Sequence, residues 1–392
     1  MIGALERLRI VVLGAIIRYP LGGIAWHHLQ YVMGLARLGH DVVFIEDSGL
    51  GEWCCYNPLA GISSRDASYG IAFAQNTFER VGLPDRWGYY DAYAKQWRGP
   101  IADHVVKFCE SADLMLDLSE VNAMRPWLER IPARVLVDTD PVFNQIHHLA
   151  RPEAREHALQ HNVFFSFGEN LFGGRSTSPS DGFQWQPTRQ PIVLDAWPVT
   201  EGREQGKFTT VMQWESYPPV QYEGVEYGLK SASFLPYLDL PNNVSAVFEL
   251  ALGTPDAPRT LLSGKGWQLL DPFAAAPDPW AYQDYIRGSK AEFSVAKQAY
   301  AVTNSGWFSE RSAGYLASGR PVVVQQTGFS SWLHAEMGVL PFNNLDQAID
   351  AVRDVEQNYA AHCKAAREVA AEFFDSDRVL GSLIDRALAS VS

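Results

Sequence analysis

Apolar residues in this chain gather in short unbroken runs, and between the runs they recur at three- and four-residue steps. The first run is RIVVLGAII, Arg9–Ile17. A run without polar alternation predicts a strand buried on both faces, as in a parallel sheet. After the turn RYPLGG, the residues Ile24, His28, Tyr31, Leu35 and Leu38 share one helical stripe, which Gly39 ends. DVVFIED, Asp41–Asp47, reads as the next strand. Strand, glycine turn, helix and strand predict a βαβ unit with a right-handed crossover.

The pattern continues through LMLDLS (Leu114–Ser119), RVLVDTD (Arg134–Asp140) and VFFSFGE (Val163–Glu169), with helical stretches between them. From Gly173 to Lys207 the chain is irregular and rich in Pro, Gly, Ser and Thr, which reads as loop and linker. A second series follows: Phe208–Trp214, Ala246–Gly253, Ala291–Lys297 and Pro321–Gln326. PWAYQDYIRGS and the long amphipathic stretch Leu345–Phe374 read as helices. The expected fold class is α/β, with two Rossmann-like, doubly wound domains. Their expected bounds are 1–204 and 205–374, and a helix over 375–392 is expected to cross back to the N-terminal domain.

Composition narrows the class. The chain has 392 residues, 47% of them hydrophobic and 20% charged, as in a folded globular protein. Its 32 basic and 45 acidic residues leave a net charge of −13. That sum makes the chain a poor nonspecific binder of nucleic acid or anionic lipid, so no nucleic acid partner is expected, with a local basic pocket left open. Cys54, Cys55, Cys109 and Cys363 form neither a disulfide framework nor a metal-binding spacing, so no metal and a cytoplasmic location are expected. No apolar run reaches the length of a membrane span.

Two places have the grammar of a ligand site. Gly22-Gly23 open the first helix, where unpaired N–H groups and the dipole favour an anion. The loop is not G-x-G-x-x-G, which argues against a dinucleotide fingerprint. His27 and His28 follow about 100° apart; His28 shares the apolar stripe, and His27 is the one expected to face the crevice. The second place is SGWFSERSAGYLASGRPVVVQQTG, Ser305–Gly328. Val302–Gly306 is read as the end of a strand-like segment, Ser309 as an N-cap and Glu310 as a first-turn acid. Gly306, Ser309, Glu310 and Arg311 are expected at a nucleotide diphosphate, with Glu310 accepting from ribose hydroxyls. Thr327 and Gly328 would close the same crevice, and Lys230 or Lys265 would neutralise phosphate.

Other polar points read as ordinary structure. Asp138 and Asp140 in VDTDP read as a turn before they read as a base or a metal site. Trp53, Trp197, Trp214, Trp267, Trp307 and Trp332 include candidate sugar-stacking platforms. The aromatic stretch Trp87–Trp97 is a candidate acceptor wall or interface.

PLGGIAWHHLQYVMGLARLGHDVVFIED resembles the N-terminal loop and first helix of GT-B glycosyltransferases, and its Gly-Gly-x-x-x-His spacing resembles the retaining branch. SERSAGYLASGRPVVVQQTGF resembles the donor-binding helix and following strand of the same fold. The resemblance covers Arg9 to Leu388. It implies two domains facing across a cleft, His27 as catalytic base or transition-state partner, and a nucleotide diphosphate sugar as co-substrate. A UDP-sugar is the first choice, with no metal or other cofactor and a soluble small-molecule or glycan acceptor. A GT-B nucleotide-sugar epimerase and a noncatalytic nucleotide- or carbohydrate-binding protein are the alternatives. The chain departs from the family where many retaining members carry two glutamates, since Gly306 and Gly314 stand there. QWESYPP replaces the usual Arg and Lys after the first C-terminal strand, which makes Lys230 the first candidate for the leaving phosphate. Donor sugar, acceptor, stereochemistry and oligomeric state are left open.

Overall fold

The computed structural model describes residues 7–51 and 54–391. Two separate sheets organise the chain. In the first, the order is Gln186–Pro187, Val163–Ser166, Ala133–Asp138, Leu114–Leu118, Arg9–Leu13, Asp41–Asp47, Trp87–Asp91 and Gln96–Arg98. All neighbours pair in parallel except the last two strands. Arg9–Leu13 sits mid-sheet because the chain first winds one way, to Asp41–Asp47, and then the other, to Leu114–Leu118. Its residues Ile10, Val11 and Val12 have no exposed surface, as an unalternating apolar run requires.

The second sheet is parallel throughout, in the order Gln268–Leu270, Phe248–Gly253, Phe208–Gln213, Ala291–Ser294, Val322–Gln325 and Val339–Phe342. Here Phe208–Gln213 is the switch strand. In doubly wound sheets, ligands sit outside the carboxyl ends of the strands at that switch.

The final helix, Ser376–Val391, packs on the first sheet's side of the molecule. Leu380 lies against Gly34 of the first helix, Gly22–Arg37. Arg386 donates to the Pro187 carbonyl at 2.8 Å, and Ile192 bridges Asp375 in parallel.

Two readings from the sequence need correction. Val302 ends a short helix, Gln298–Val302, rather than a strand. The strand before it stops at Ser294, and the Gly228 and Leu229 carbonyls receive the N–H groups of Ala299 and Gln298. The stretch Leu345–Phe374 is two helices, Leu345–Gln357 and Tyr359–Phe373, broken at Asn358. The aromatic run Trp87–Trp97 forms an antiparallel edge pair, whose period-two alternation is too short to stand out in sequence.

Candidate active site

The first helix is set by a buried carboxylate that its own sequence does not reveal. Glu46, with no exposed surface, accepts from the N–H groups of Ile16, Ile17 and Arg18, each at 2.7 Å. Arg18 Nε adds an ion pair at 3.1 Å. These bonds hold the loop between the first strand and the helix.

The two histidines then divide their roles. His28 Nε2 accepts from the Ala15 N–H at 3.1 Å, and its Nδ1 donates to the Ile24 carbonyl at 2.8 Å. Both ring nitrogens are used, and a Cβ on Gly14 would meet the ring at 2.0 Å, so His28 is a core histidine. His27 is half-buried, packs edge-on against Tyr31 and Phe167, and has no partner for Nε2. Burial pulls its pKa down to about 4, so the ring is neutral at pH 7.

On the other side of the cleft, Ser309 caps the helix Glu310–Ala317 by accepting from the Arg311 N–H at 3.2 Å. Glu310 is exposed at the first turn. Lys230 begins a short helix, Lys230–Phe234, and its ammonium makes no ion pair or hydrogen bond among the described residues. Burial, with Arg311 and Lys297 adding like charge, pulls its ammonium down to about 7.

Between the halves lies a cleft of about 330 Å³, part of it open to solvent. Gly23, Trp26, His27 and Gln30 line it from the first helix, and Tyr282, Glu310 and Arg311 from the second half. Four of its side chains bring a buried polar atom without a partner: His27 Nε2, Gln30 Nε2, Gln190 Oε1 and Trp197 Nε1. The remaining amide atoms of both glutamines are committed, Gln30 Oε1 to the Val193 N–H and Gln190 Nε2 to the Phe308 carbonyl. A second space of about 240 Å³ opens at the carboxyl ends of Ala291–Ser294 and Val322–Gln325, and includes Ser294, Trp307, Ser309, Ser312, Gln325 and Thr327. The start of the Glu310 helix stands between the two spaces.

Several expected ligand groups are occupied by the protein itself. The Gly22 N–H donates to the Ala276 carbonyl at 3.1 Å, and a Cβ there would lie 2.2 Å from the Asp278 carbonyl oxygen. Gly22 is therefore a contact between the halves, whereas Gly23 does line the cleft. Arg311 is buried and committed: Nε to Glu292 at 2.6 Å, Nη1 to the Val211 carbonyl and Nη2 to Ser294. Gly306 and Gly328 have left-handed φ values of 79° and 94°, and Asn170 of the first half packs against both. Asn170 Nδ2 donates to the Asn304 and Gly328 carbonyls at 3.0 and 3.1 Å, and its N–H to Ser305 at 3.0 Å. The Gly306 N–H is taken by the Thr327 carbonyl, and the Thr327 hydroxyl by the Trp307 carbonyl. Lys265 pairs with Asp239 at the surface.

Asp138 and Asp140 are more than a turn. Asp138, fully buried, accepts from Asn144, Gln145 and Ser166, and burial pushes its carboxyl up to about 6. Asp140 receives Lys297, Tyr217 and Tyr300 from the second half. Only their convergence in space marks them. Among the tryptophans, Trp197 lines the cleft against Trp26, ring centroids 5.1 Å apart. Trp307 lines the second space, Trp214, Trp267 and Trp332 are core, and Trp53 lies outside the described residues. Cys54 and Cys55 are free, with burial raising Cys55 to about 12. A thiol held so far from ionisation is a poor redox centre.

No protein-family model and no curated protein matches the chain. Solved structures do. An alpha-glucosyltransferase in complex with UDP and a 13-mer DNA containing an A:G mismatch has a TM-score of 0.59 at 10% identity, covering 98% of this chain and all of its own. Anabaena HepE in complex with UDP and glucose has a TM-score of 0.57 at 11% identity, with the same coverage. AviGT4, a glycosyltransferase of avilamycin A biosynthesis, has a TM-score of 0.53 at 12% identity and covers 98% of both chains. The DNA complexes overturn the expectation that nucleic acid is excluded as a partner. That expectation rested on net charge, which sums the whole surface and is silent about one groove. Among the described residues no helix is long and apolar enough to cross a membrane. Two doubly wound α/β sheets facing across a shared cleft, matched over nearly the whole chain, give this protein the GT-B glycosyltransferase fold.

Proposed function

We propose that the protein is a glycosyltransferase that moves a sugar from a nucleotide diphosphate sugar, with a UDP-sugar first among donors. The observation that carries this is a cleft walled by both halves, four of whose lining side chains hold a buried polar atom without a partner: His27 Nε2, Gln30 Nε2, Gln190 Oε1 and Trp197 Nε1. A buried polar atom without a partner costs about 1–3 kcal/mol. Four such atoms, including both donors and an acceptor, suit a ligand whose hydroxyls both donate and accept, as a sugar's do. UDP in the alpha-glucosyltransferase and HepE complexes supports uridine as the base.

In this reading the sugar lies in the cleft between the halves and the nucleotide in the space beside Ser309, Ser312 and Thr327. Neutral His27 accepts the acceptor's proton or steadies charge at the reacting carbon. The departing diphosphate gathers negative charge, which Lys230 and the start of the Glu310 helix meet without a metal. Arg311 acts by fixing that helix against Glu292. The acceptor is a glycan, a small molecule or, given the DNA-bound neighbours, a nucleic acid.

The test begins with thermal unfolding against UDP, GDP, ADP, CMP and NAD. A ligand at about 100 times its dissociation constant adds roughly 2.7 kcal/mol. A shift with UDP, followed by UDP release from UDP-glucose only when an acceptor is present, supports the proposal. A shift with NAD alone overturns it, and sugar inversion without an acceptor replaces it with an epimerase.

A further inference from the structure

We infer that Asp117, His157 and His161 form a binding site for a Zn²⁺-class divalent cation on the face of the first sheet. Asp117 lies in the strand Leu114–Leu118 with no exposed surface. Its Oδ2 stands 3.3 Å from His157 Nε2 and 3.3 Å from His161 Nε2. Its Oδ1 has no partner at all. His157 belongs to the helix Pro152–Ala158, and His161 follows one turn later, so their four-residue spacing brings both rings to the same carboxylate.

The tautomer makes the arrangement informative. His161 Nδ1 lies 3.3 Å from the Ala158 carbonyl oxygen. A carbonyl oxygen only accepts, so the proton of a neutral ring sits on Nδ1. The bare lone pair of Nε2, a buried atom without a hydrogen-bond partner, then faces the carboxylate. Two electron-rich atoms buried 3.3 Å apart require a positive centre between them, either a proton or a metal ion.

The geometry suits a metal ion. Zinc bonds its nitrogen and oxygen ligands at about 2.0–2.1 Å in a tetrahedron, which places neighbouring ligand atoms roughly 3.3–3.4 Å apart. Both carboxylate-to-imidazole separations fall there, and one ligand atom from each residue lies within 4.8 Å of the others. The second shell fits as well, because a ligating imidazole commonly donates its other N–H to a backbone carbonyl. Two imidazoles and one carboxylate suit Zn²⁺, Co²⁺ or Ni²⁺ over Mg²⁺ or Ca²⁺, which demand oxygen. The His157 side chain is 20% exposed, which leaves a route from solvent. The cation would pin the Pro152–Ala158 helix and its following turn to the sheet. Cysteine spacing could not reveal this site, since it uses no cysteine and its carboxylate comes from 40 residues upstream of His157.

The site is independent of the proposed transfer, and its test does not read activity. The full chain is stripped with a chelator and titrated with Zn²⁺, then with Co²⁺ while visible absorption is recorded. One equivalent is expected, with the intense d–d bands of a four-coordinate ion and no thiolate charge-transfer band. His161→Gln and His157→Gln should each weaken binding by at least about 100-fold, beyond the 10–100-fold typical of outer-shell changes. His104→Gln, exposed and not part of the cluster, should leave binding unchanged. If His161→Gln fails to fold, the more exposed His157→Gln decides. No tight equivalent in the native chain means that an imidazolium–carboxylate pair alone fills the place, and overturns the inference. So does binding that survives His157→Gln unchanged.

Discussion

The Lys297 ammonium stands 2.7 and 2.8 Å from the two carboxylate oxygens of Asp140, and the two residues follow strands of different sheets, Ala133–Asp138 and Ala291–Ser294. Tyr217 and Tyr300 also donate to that carboxylate, and the ammonium lies over the rings of Phe143 and Tyr217. The pair is mostly shielded, with side-chain exposures of 14% and 26%. It is one of the ties that hold the two halves across the cleft.

Breaking that tie from one side should be worse than removing it. Lys297→Met and Asp140→Asn should each cost about 1–3 kcal/mol, less than a fully buried pair because water reaches part of this one. The double variant should recover part of the loss, giving a coupling energy of about 0.5–3 kcal/mol. Denaturant unfolding of the four proteins measures it. Additive losses would show that the pair is a bystander.

Gly22 and Gly23 should separate cleanly despite being neighbours. A Cβ on Gly22 would sit 2.2 Å from a backbone oxygen, while one on Gly23 would meet the Tyr282 ring at 3.4 Å. Gly22→Ala should destabilise by roughly 1–3 kcal/mol through overpacking and loosen the two halves. Gly23→Ala should stay within about 1 kcal/mol of the native chain. Limited proteolysis at the linker and thermal unfolding together check the contrast.

Lys230 should report a bound diphosphate through its proton. With its ammonium pulled down to about 7 by burial, a nearby dianion raises its affinity for the proton. UDP binding at pH 7.5 should therefore take up a fraction of a proton, visible as a calorimetric enthalpy that varies with buffer ionisation. Lys230→Met should lose the uptake and weaken UDP by about 10–100-fold, as expected for a charge-assisted bond worth about 1.5–3 kcal/mol. Unchanged UDP affinity would remove Lys230 from the site.

His27 ties stability to pH with a defined sign. Its folded pKa of about 4 lies below the unfolded value near 6.5, so the unfolded chain binds the proton more tightly. The contribution is full above pH 6.5 and is lost as pH falls towards 4, up to about 3 kcal/mol. His28, lowered to about 3 by burial, acts in the same direction. Asp138, raised to about 6, acts oppositely, stabilising below about pH 4 and losing that effect as pH rises through 6. The Asp138 effect cancels when native and His27→Gln chains are compared, and that of His28 changes only by the part that His27 contributes to its lowering. The variant should be less pH-sensitive between 4 and 6.5, and glycosyl transfer should fall by about 10²–10⁴-fold if His27 handles the proton.

Local chemistry was legible where a single element decides it. Unalternating runs such as Ile10–Val12 state their own burial, because period alone separates a two-sided strand from a half-exposed one. Ser309 announces the helix it caps, and the 100° step between His27 and His28 separates a cleft residue from a core residue. The α/β class and the two sheets follow from such local statements, repeated along the chain.

Tertiary structure alone decided which polar groups are free for a ligand. Arg311 looks like a phosphate binder until Glu292 is found 2.6 Å away. Gly306 and Gly328 look like backbone prepared for an anion until Asn170, more than 130 residues earlier, takes that space. Asp117 and His161 meet across 44 residues, with no spacing rule to join them. Periodicity and capping arise from contacts within a few residues, so the sequence by itself determines elements and their buried faces. The partners of a charged or amide group arise from docking one element on another, and only the assembled fold sets those.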